Sequence, residues 1–371
     1  MELTDPPLGG AAPAHAPSSD ASLAALLAEE FVPRRTTYLN TATCGILPRR
    51  GLEAARELAA AAAAGEPGGF GDFGRVERVR ERFARLVGVA PGRVALGSSV
   101  ATHVGLIAAA LPAGAEVLFA EGDFASVINP FVVRGDLALR FAPLEALAES
   151  VRPATALVAV SAVQSADGRL ADLPALRAAA TAHGTRLLVD ATQTAGWLPF
   201  DASPYDYTVT AGYKWLLGAR GASYLTVSEE AAKELVPLHA GWVAARSMWD
   251  AVYGPMPELA EDARRFDESP AFLAYHASEA GLELLERAGA AAVHARTAAL
   301  AARCREGLVA LGHAPVPGTA PIVSVPGPAA RQPELAAAGI VTSARAGALR
   351  ISLHLYNTEA DVDRLLAALS D

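Results

Sequence analysis

Between residue 94 and Pro237 short apolar runs alternate with helix-like stretches, and this rhythm constrains the fold more than any other feature. Residues 94–97, 116–120, 137–141, 155–161 and 185–190 have the length and apolar content of buried strands, whereas 126–134 and 173–183 have helical patterning. Such βα alternation predicts a mainly parallel sheet covered by helices on both faces. Open sheets of this kind bind ligands at the carboxyl ends of their strands. The 185–190 run, Thr-Arg-Leu-Leu-Val-Asp, delivers the carboxylate of Asp190 to that end and continues into Ala191-Thr192-Gln193. A second β-like run, Tyr207-Thr-Val-Thr210, is followed by Lys214 and by the turn Gly218-Ala-Arg-Gly221.

Lys214 stands out because lysine is scarce. Of 31 basic side chains only Lys214 and Lys233 are lysines. Guanidinium does not deprotonate in proteins, so arginine cannot replace a lysine whose amine must act as a nucleophile. Lys233 follows Glu229 by four residues and fits a solvated helical ion pair. Lys214 has two readings, a surface lysine between Tyr213 and Trp215 or an imine-forming amine. A buried acid facing a heterocyclic nitrogen, with such an amine nearby, is what pyridoxal phosphate requires.

The length of 371 residues exceeds one typical core. The expected organisation is a loose Pro/Ala-rich tail over 1–20, an N-terminal segment over 21–74 packing with the small domain, a large domain over 75–240, and a small α+β domain over 241–371. In the last of these, long helices are expected at 270–288 and 291–311, with β-like runs around Val323 and Ile351. A hydrophobic content of 52% fits a globular chain with a substantial core. The net charge of −9, with no Lys/Arg cluster, argues against a nucleic-acid partner. Alanine-rich runs such as 58–64 are too short to span a bilayer, so no membrane partner is expected. The tail lacks the basic and apolar regions of a signal peptide, which points to a cytoplasmic protein. Cys44 and Cys304 are then expected as free thiols, and no metal-ligand spacing is present.

Gly97-Ser98-Ser99 forms a strand–turn–helix junction whose backbone N–H groups and hydroxyls suit a phosphate, and equally an ordinary serine N-cap. Arg350, in Leu349-Arg350-Ile-Ser-Leu-His354, has a fork suited to a bidentate grip on an α-carboxylate. The apolar run around it speaks against a solvated strand arginine.

Together, Gly97-Ser98-Ser99, Val189-Asp190-Ala-Thr-Gln193, Tyr213-Lys214-Trp215 with Gly218-Ala-Arg-Gly221, and the run from Leu349 to Asn357 resemble the class V aminotransferase family. These are fold-type I enzymes dependent on pyridoxal 5'-phosphate, and they include cysteine desulfurases, kynureninases and isopenicillin-epimerase-like proteins. The resemblance runs from about Tyr38 to the C-terminus. It implies that Lys214 carries the cofactor as a Schiff base and shuttles the substrate proton. Asp190 would pair with the pyridinium nitrogen, and Gln193, helped by Gln164, would donate to the phenolic oxygen. Ser98 and Ser99 would hold the phosphate, with Thr210 contributing because Ala211 stands where relatives carry a hydroxyl. Phe124 would stack on the ring. Trp242 lies in a segment that reaches a phosphate across the dimer interface in relatives, which implies a homodimer. Arg350 and Asn40 would bind the amino-acid substrate. Two further departures are Tyr213, in place of a common histidine, and Ala219, in place of a common proline. Desulfurases carry a nucleophilic cysteine shortly before the carboxylate-binding arginine, and 339–348 contains none, which disfavours persulfide chemistry. The leading expectation is transamination. A lyase cleaving C–S bonds by β-elimination, or an epimerase, is the alternative, and a non-catalytic binding paralogue is the third reading. A dinucleotide-dependent dehydrogenase is the weakest reading, because Gly97-Ser-Ser is not GxGxxG and no acidic residue closes a second strand about twenty residues on.

Overall fold

Strands buried on both faces have to be apolar along their whole length, and the runs after residue 94 meet that requirement. The computed structural model describes residues 20–32 and 34–370. Its elements begin with α1 (Asp20–Glu30), β1 (Thr37–Tyr38), α2 (Arg49–Ala64) and α3 (Phe73–Leu86). Then come β2 (Val94–Gly97), α4 (Val100–Ala110), β3 (Glu116–Ala120), α5 (Ala125–Val132), β4 (Ala138–Ala142) and β5 (Thr155–Ser161). The series continues with α6 (Leu173–His183), β6 (Arg186–Asp190), β7 (Tyr207–Ala211), β8 (Ser223–Val227) and α7 (Glu229–Ala232). After these follow α8 (Phe272–Ala288), α9 (Ala290–Ala310), β9 (Ile322–Pro326), α10 (Gln332–Ala337), β10 (Ile340–Val341), β11 (Ser343–Arg345), β12 (Ala348–Ser352) and α11 (Glu359–Ser370).

Seven strands form one sheet in the order β2-β8-β7-β6-β5-β3-β4. β8 pairs antiparallel with both neighbours, and the other adjacent pairs are parallel. One face buries Val117, Phe119, Leu157, Leu188 and Val209 against α4 and α5. The other buries Leu118, Val158, Val160 and Val189 against Leu176 and Ala180 of α6. The mainly parallel α/β sheet expected from the rhythm is therefore present. The strand expected at 137–141 sits one residue later, and the helix expected at 126–134 runs from Ala125 to Val132 with Pro130 inside it. The tail assigned to 1–20 lies outside the described residues except for Asp20, which opens α1. Among the described residues no helix is long and apolar enough to cross a membrane.

A second, three-stranded antiparallel sheet, β11-β12-β9, packs on α9 and α11 through Val323, Val325, Leu349, Ile351, Leu300 and Leu365. The N-terminal segment is bound to this region. β1 pairs with β10, the Leu39 N–H donates to the Val341 carbonyl at 2.9 Å, and the Ser352 N–H donates to the Leu39 carbonyl at 2.8 Å. That pairing carries residues 40–46 to the carboxyl ends of the large sheet. There the Gly45 N–H donates to the Tyr213 carbonyl at 2.8 Å. A side chain at Gly45 would start 2.1 Å from the Lys214 carbonyl oxygen, so the close approach of the two segments requires glycine.

Candidate active site

β6 ends in Asp190, only 4% exposed, whose Oδ1 accepts the Thr192 N–H at 2.8 Å. Burial pushes its carboxyl up to about 6, against the opposing pull of Thr192 and Lys214. On the neighbouring β7, Thr210 is fully buried and its hydroxyl has no partner among the described residues. The chain then turns sharply. Leu217 sits at φ 56° and its N–H donates to the Lys214 carbonyl at 3.2 Å. A left-handed leucine costs about 1–2 kcal/mol. Packing holds it there, because Trp215, Leu216 and Leu217 are all buried in the central core.

Lys214 is 4% exposed, which rules out the surface reading. Its Nζ lies 5.1 Å from the centre of the Phe124 ring and 5.8 Å from that of Tyr213. No hydrogen bond or ion pair holds it among the described residues. Burial pushes the amine down to about 8, with Asp190 opposing. Lys233 is the exposed helical ion pair expected, although its partner is Glu230 at 2.7 Å and not Glu229.

Arg350, on β12, is 1% exposed. Its Nε donates to Ser343 Oγ (3.2 Å), Nη1 to the Ser165 carbonyl (2.5 Å) and Ser165 Oγ (3.1 Å), and Nη2 to Thr43 Oγ1 (2.7 Å). All these acceptors are neutral. No carboxylate pairs with this buried cation among the described residues, and desolvation pushes it down to about 10. Asn40 lies beside it through a backbone bridge to Ser352, and its buried Oδ1 has no partner.

Other expected residues are committed elsewhere. Gln193 donates to the Ala42 carbonyl (3.0 Å) and Ser165 Oγ (3.1 Å) and accepts from Trp215 Nε1 (2.7 Å). Both amide hydrogens are thus engaged and Gln193 braces the loop, so a bond to a phenolic oxygen would have to replace one of them. Gln164 likewise donates to Asp123 Oδ2 (3.2 Å) and the Ser161 carbonyl (3.3 Å). Asp123, buried and unremarked in the sequence, also accepts the Phe124 N–H at 2.6 Å and so fixes the backbone that carries that ring. Ser98 and Ser99 are exposed at the start of α4, where Ser99 Oγ caps the Thr102 N–H at 3.2 Å. The Ser98 N–H, a natural phosphate donor, is held by Glu268 Oε2 at 2.5 Å. Trp242 packs its ring against Phe73 (5.6 Å) and Trp249 (5.3 Å), an aromatic group separate from the lysine cluster. Cys44 is half-buried, and burial raises its thiol against the pull of Arg220 and Lys214.

Thr43, Ser165, Ser343, Asp123 and Glu268 carried no signal of their own in the sequence. Among the described residues no group of three or more His, Cys, Asp or Glu side chains is placed to hold a metal ion. A groove of about 600 Å³ lined by Leu23, Leu300, Arg303 and Glu359 lies apart from this cluster and contains none of its groups. Chemistry, not cavity size, therefore locates the site: a buried amine and acid, an aromatic ring beside the amine, and a buried guanidinium without a counter-charge.

Comparison with known proteins bears on this geometry. Residues 74–325 match the family model described as aminotransferase class-V. The chain is 31% identical over 227 residues to the uncharacterized aminotransferase YcbU of Bacillus subtilis (strain 168), covering 58% of this chain and 60% of that one. It is 31% identical over 256 residues to isopenicillin N epimerase of Streptomyces clavuligerus, covering 62% of each. These matches thus span less than two thirds of either relative. Among solved structures, a cystine C–S lyase, C-DES, in complex with its reaction product cysteine persulfide superposes with a TM-score of 0.82 at 25% identity, over 91% of this chain and 98% of that one.

Proposed function

The chain belongs to the aminotransferase class-V family, and from that premise we propose that it cleaves the C–S bond of a β-thio-substituted α-amino acid by α,β-elimination. Pyridoxal phosphate is its cofactor. The residues present suit that group. Among the described residues the Lys214 amine has no hydrogen bond, Asp190 is bonded by Thr192 alone, and the buried Thr210 hydroxyl lacks a partner. Lys214 would take the carbonyl carbon, Asp190 the ring nitrogen, and Thr210, Ser98 and Ser99 the phosphate. Glu268 has to release the Ser98 N–H for that phosphate to dock.

Bound pyridoxal phosphate supplies the sink for the electron pair left when the Cα proton departs. The other tasks belong to the chain. The Arg350 fork holds the α-carboxylate and fixes which Cα bond faces Lys214. Lys214 Nζ would take the Cα proton and deliver a proton to the leaving sulfur, and burial, which pulls its pKa down, favours the neutral amine that the first of these steps needs. Substrate and water become pyruvate, ammonia and a thiol. The observation that carries an enzymatic reading is the buried, unpaired Lys214 beside Asp190. What favours elimination is the overlap along almost the whole chain with a protein described as a C–S lyase. Transamination shares the proton step and is supported by the name of one relative, so it is the competing outcome.

Holoenzyme incubated with S-methyl-L-cysteine or L-cystine separates the two. Pyruvate with released thiol or persulfide means elimination, and amine transfer to an added keto acid means transamination. Activity unchanged in Lys214→Ala would end the site assignment. Homodimer formation is part of the same proposal, supported by the exposed Trp249 packed beside Trp242 and by the exposed Tyr253 four residues on, and sedimentation of Trp249→Glu against wild type tests it.

A further inference from the structure

Three basic side chains surround the site with little to neutralise them, in a chain whose net charge is −9. Arg350 is buried without an acid. Arg345, on the hairpin strand beside it, bonds only its neighbour's carbonyl among the described residues. Arg220, in the turn after Lys214, forms no hydrogen bond or ion pair among the described residues. Most arginines of this protein are tied to a carboxylate or to backbone carbonyls, so an untied one next to a buried lysine invites explanation.

Arg220 is held all the same. Its guanidinium carbon lies 4.1 Å from the centre of the Tyr213 ring, and Lys214 Nζ lies 5.8 Å from the same centre. The two cations are therefore no further apart than the sum of those distances. Tyr213 is half-buried, and its backbone is fixed by the hydrogen bond from Gly45. A guanidinium lying flat on an aromatic face keeps its N–H edges free while losing side-chain freedom in advance. Arg220 is exposed, yet its charge is close enough to Lys214, Cys44 and Tyr38 to pull the pKa of each downward, against burial in the case of Cys44 and Tyr38. The acids nearby are accounted for. Asp190 lies beside the lysine, and Asp123 is saturated by Ser161, Gln164 and Phe124.

We propose that Arg220, stacked on Tyr213, is a second carboxylate-binding position, and that the substrate is an amino acid carrying a second carboxylate distal to the one held by Arg350. The inference rests on the reading of Arg350 given above. It narrows the substrate from β-thio amino acids in general to those whose sulfur substituent ends in an acid. The planar fork of Arg220 suits bidentate pairing with a carboxylate.

Isothermal titration of the holoenzyme with linear dicarboxylates from succinate to pimelate, against monocarboxylates of equal length, tests this without turnover. The expected result is that at least one dicarboxylate binds tenfold or more tightly than its monocarboxylate counterpart. Arg220→Gln abolishes that preference and leaves the monocarboxylate affinity as it was, whereas Arg350→Gln weakens both ligands. No dicarboxylate preference in wild type, or a preference that survives Arg220→Gln, overturns the proposal, and so does a preference lost only in Arg345→Gln. Carboxylate binding indifferent to Arg350→Gln would instead overturn the Arg350 reading, so the two failures are distinguishable.

Discussion

Replacing Arg350 by methionine separates what that residue does for folding from what it does for binding. The side chain is 1% exposed and surrounded by neutral oxygens of Thr43, Ser165 and Ser343. Two effects on folding oppose each other. Removing an unpaired buried charge with an apolar side chain of similar length stabilises by about 1–4 kcal/mol. Leaving acceptors without their donor costs about 1–3 kcal/mol for each that finds no substitute, and the three hydroxyls can rotate to new partners. The stability of the apo protein should therefore move by no more than about 3 kcal/mol in either direction. Binding has no such cancellation, because the substrate carboxylate loses its counter-charge. Removing one member of a buried, hydrogen-bonded charge pair costs about 2–5 kcal/mol, a factor of about thirty or more in affinity. The assay titrates the cofactor absorbance band with S-methyl-L-cysteine and with its decarboxylated amine, beside urea unfolding of the apo forms. The wild type should favour the acid, and Arg350→Met should lose that preference by at least the stated factor. Arg350→Lys, which keeps the charge without the fork, should fall between. An unchanged preference would refute the carboxylate role, and a stability loss far beyond about 3 kcal/mol would show that the guanidinium is chiefly a structural tie.

Three other outcomes follow from the geometry. Burial lowers Lys214 from its ordinary 10.5 to about 8, so between those values the unfolded apo chain holds the proton more firmly, and stability gained from this group rises with pH across that window. Lys214→Met should thus be more stable than wild type below pH 8, with the gap closing toward pH 10.5, as read by urea midpoints. A gap independent of pH would show that the amine is not titrating there. Gly45→Ala places a methyl group against the Lys214 carbonyl, and relief of that clash should cost about 1–3 kcal/mol together with cofactor affinity. Wild-type cofactor affinity in this variant would show that the N-terminal loop does not dock as described. Ala346 and Gly347 form the two-residue loop between β11 and β12 at φ 46° and 77°, a pairing that favours asparagine first. Ala346→Asn should raise the thermal midpoint, by about 0.5–1 kcal/mol in stability, and a lowered midpoint would contradict the turn assignment.

The sheet was legible because buried parallel strands leave a one-dimensional trace, runs such as 155–161 that are apolar without alternation. Lys214 and Asp190 were legible for a chemical reason, since each is a charged residue at the end of such a run. Polar residues that serve only as partners leave no such trace. Ser165 is one serine among many until folding brings it against both Arg350 and Gln193. Glu268 lies 170 positions from Ser98, and only the pairing of its segment along β2 brings them together. Gln193 shows the limit of a motif from the other side. Its motif suggests a cofactor contact, but a side-chain amide takes whatever partners packing provides, and here these are protein atoms.

The shared serine ties the two halves of the site into one mechanical unit. Ser165 Oγ lies 3.1 Å from both Arg350 Nη1 and Gln193 Nε2. Gln193 in turn holds the Trp215 indole and the Ala42 carbonyl, and Arg350 holds Thr43. The N-terminal loop, the lysine turn and the small sheet therefore meet through two planar side chains and one hydroxyl. Each contact is an ordinary hydrogen bond worth about 1 kcal/mol net. Their effect on positioning is larger, because a shift of Arg350 relative to Lys214 requires several of them to break together. Substrate orientation by Arg350 and proton transfer at Lys214 demand that separation be fixed, and the loop that fixes it carries no charged side chain between Asn40 and Pro48. Apart from the Cys44 thiol, its residues bear on the site through backbone carbonyls, the Thr43 hydroxyl and the missing side chain of Gly45, so the loop positions the site without supplying a charge.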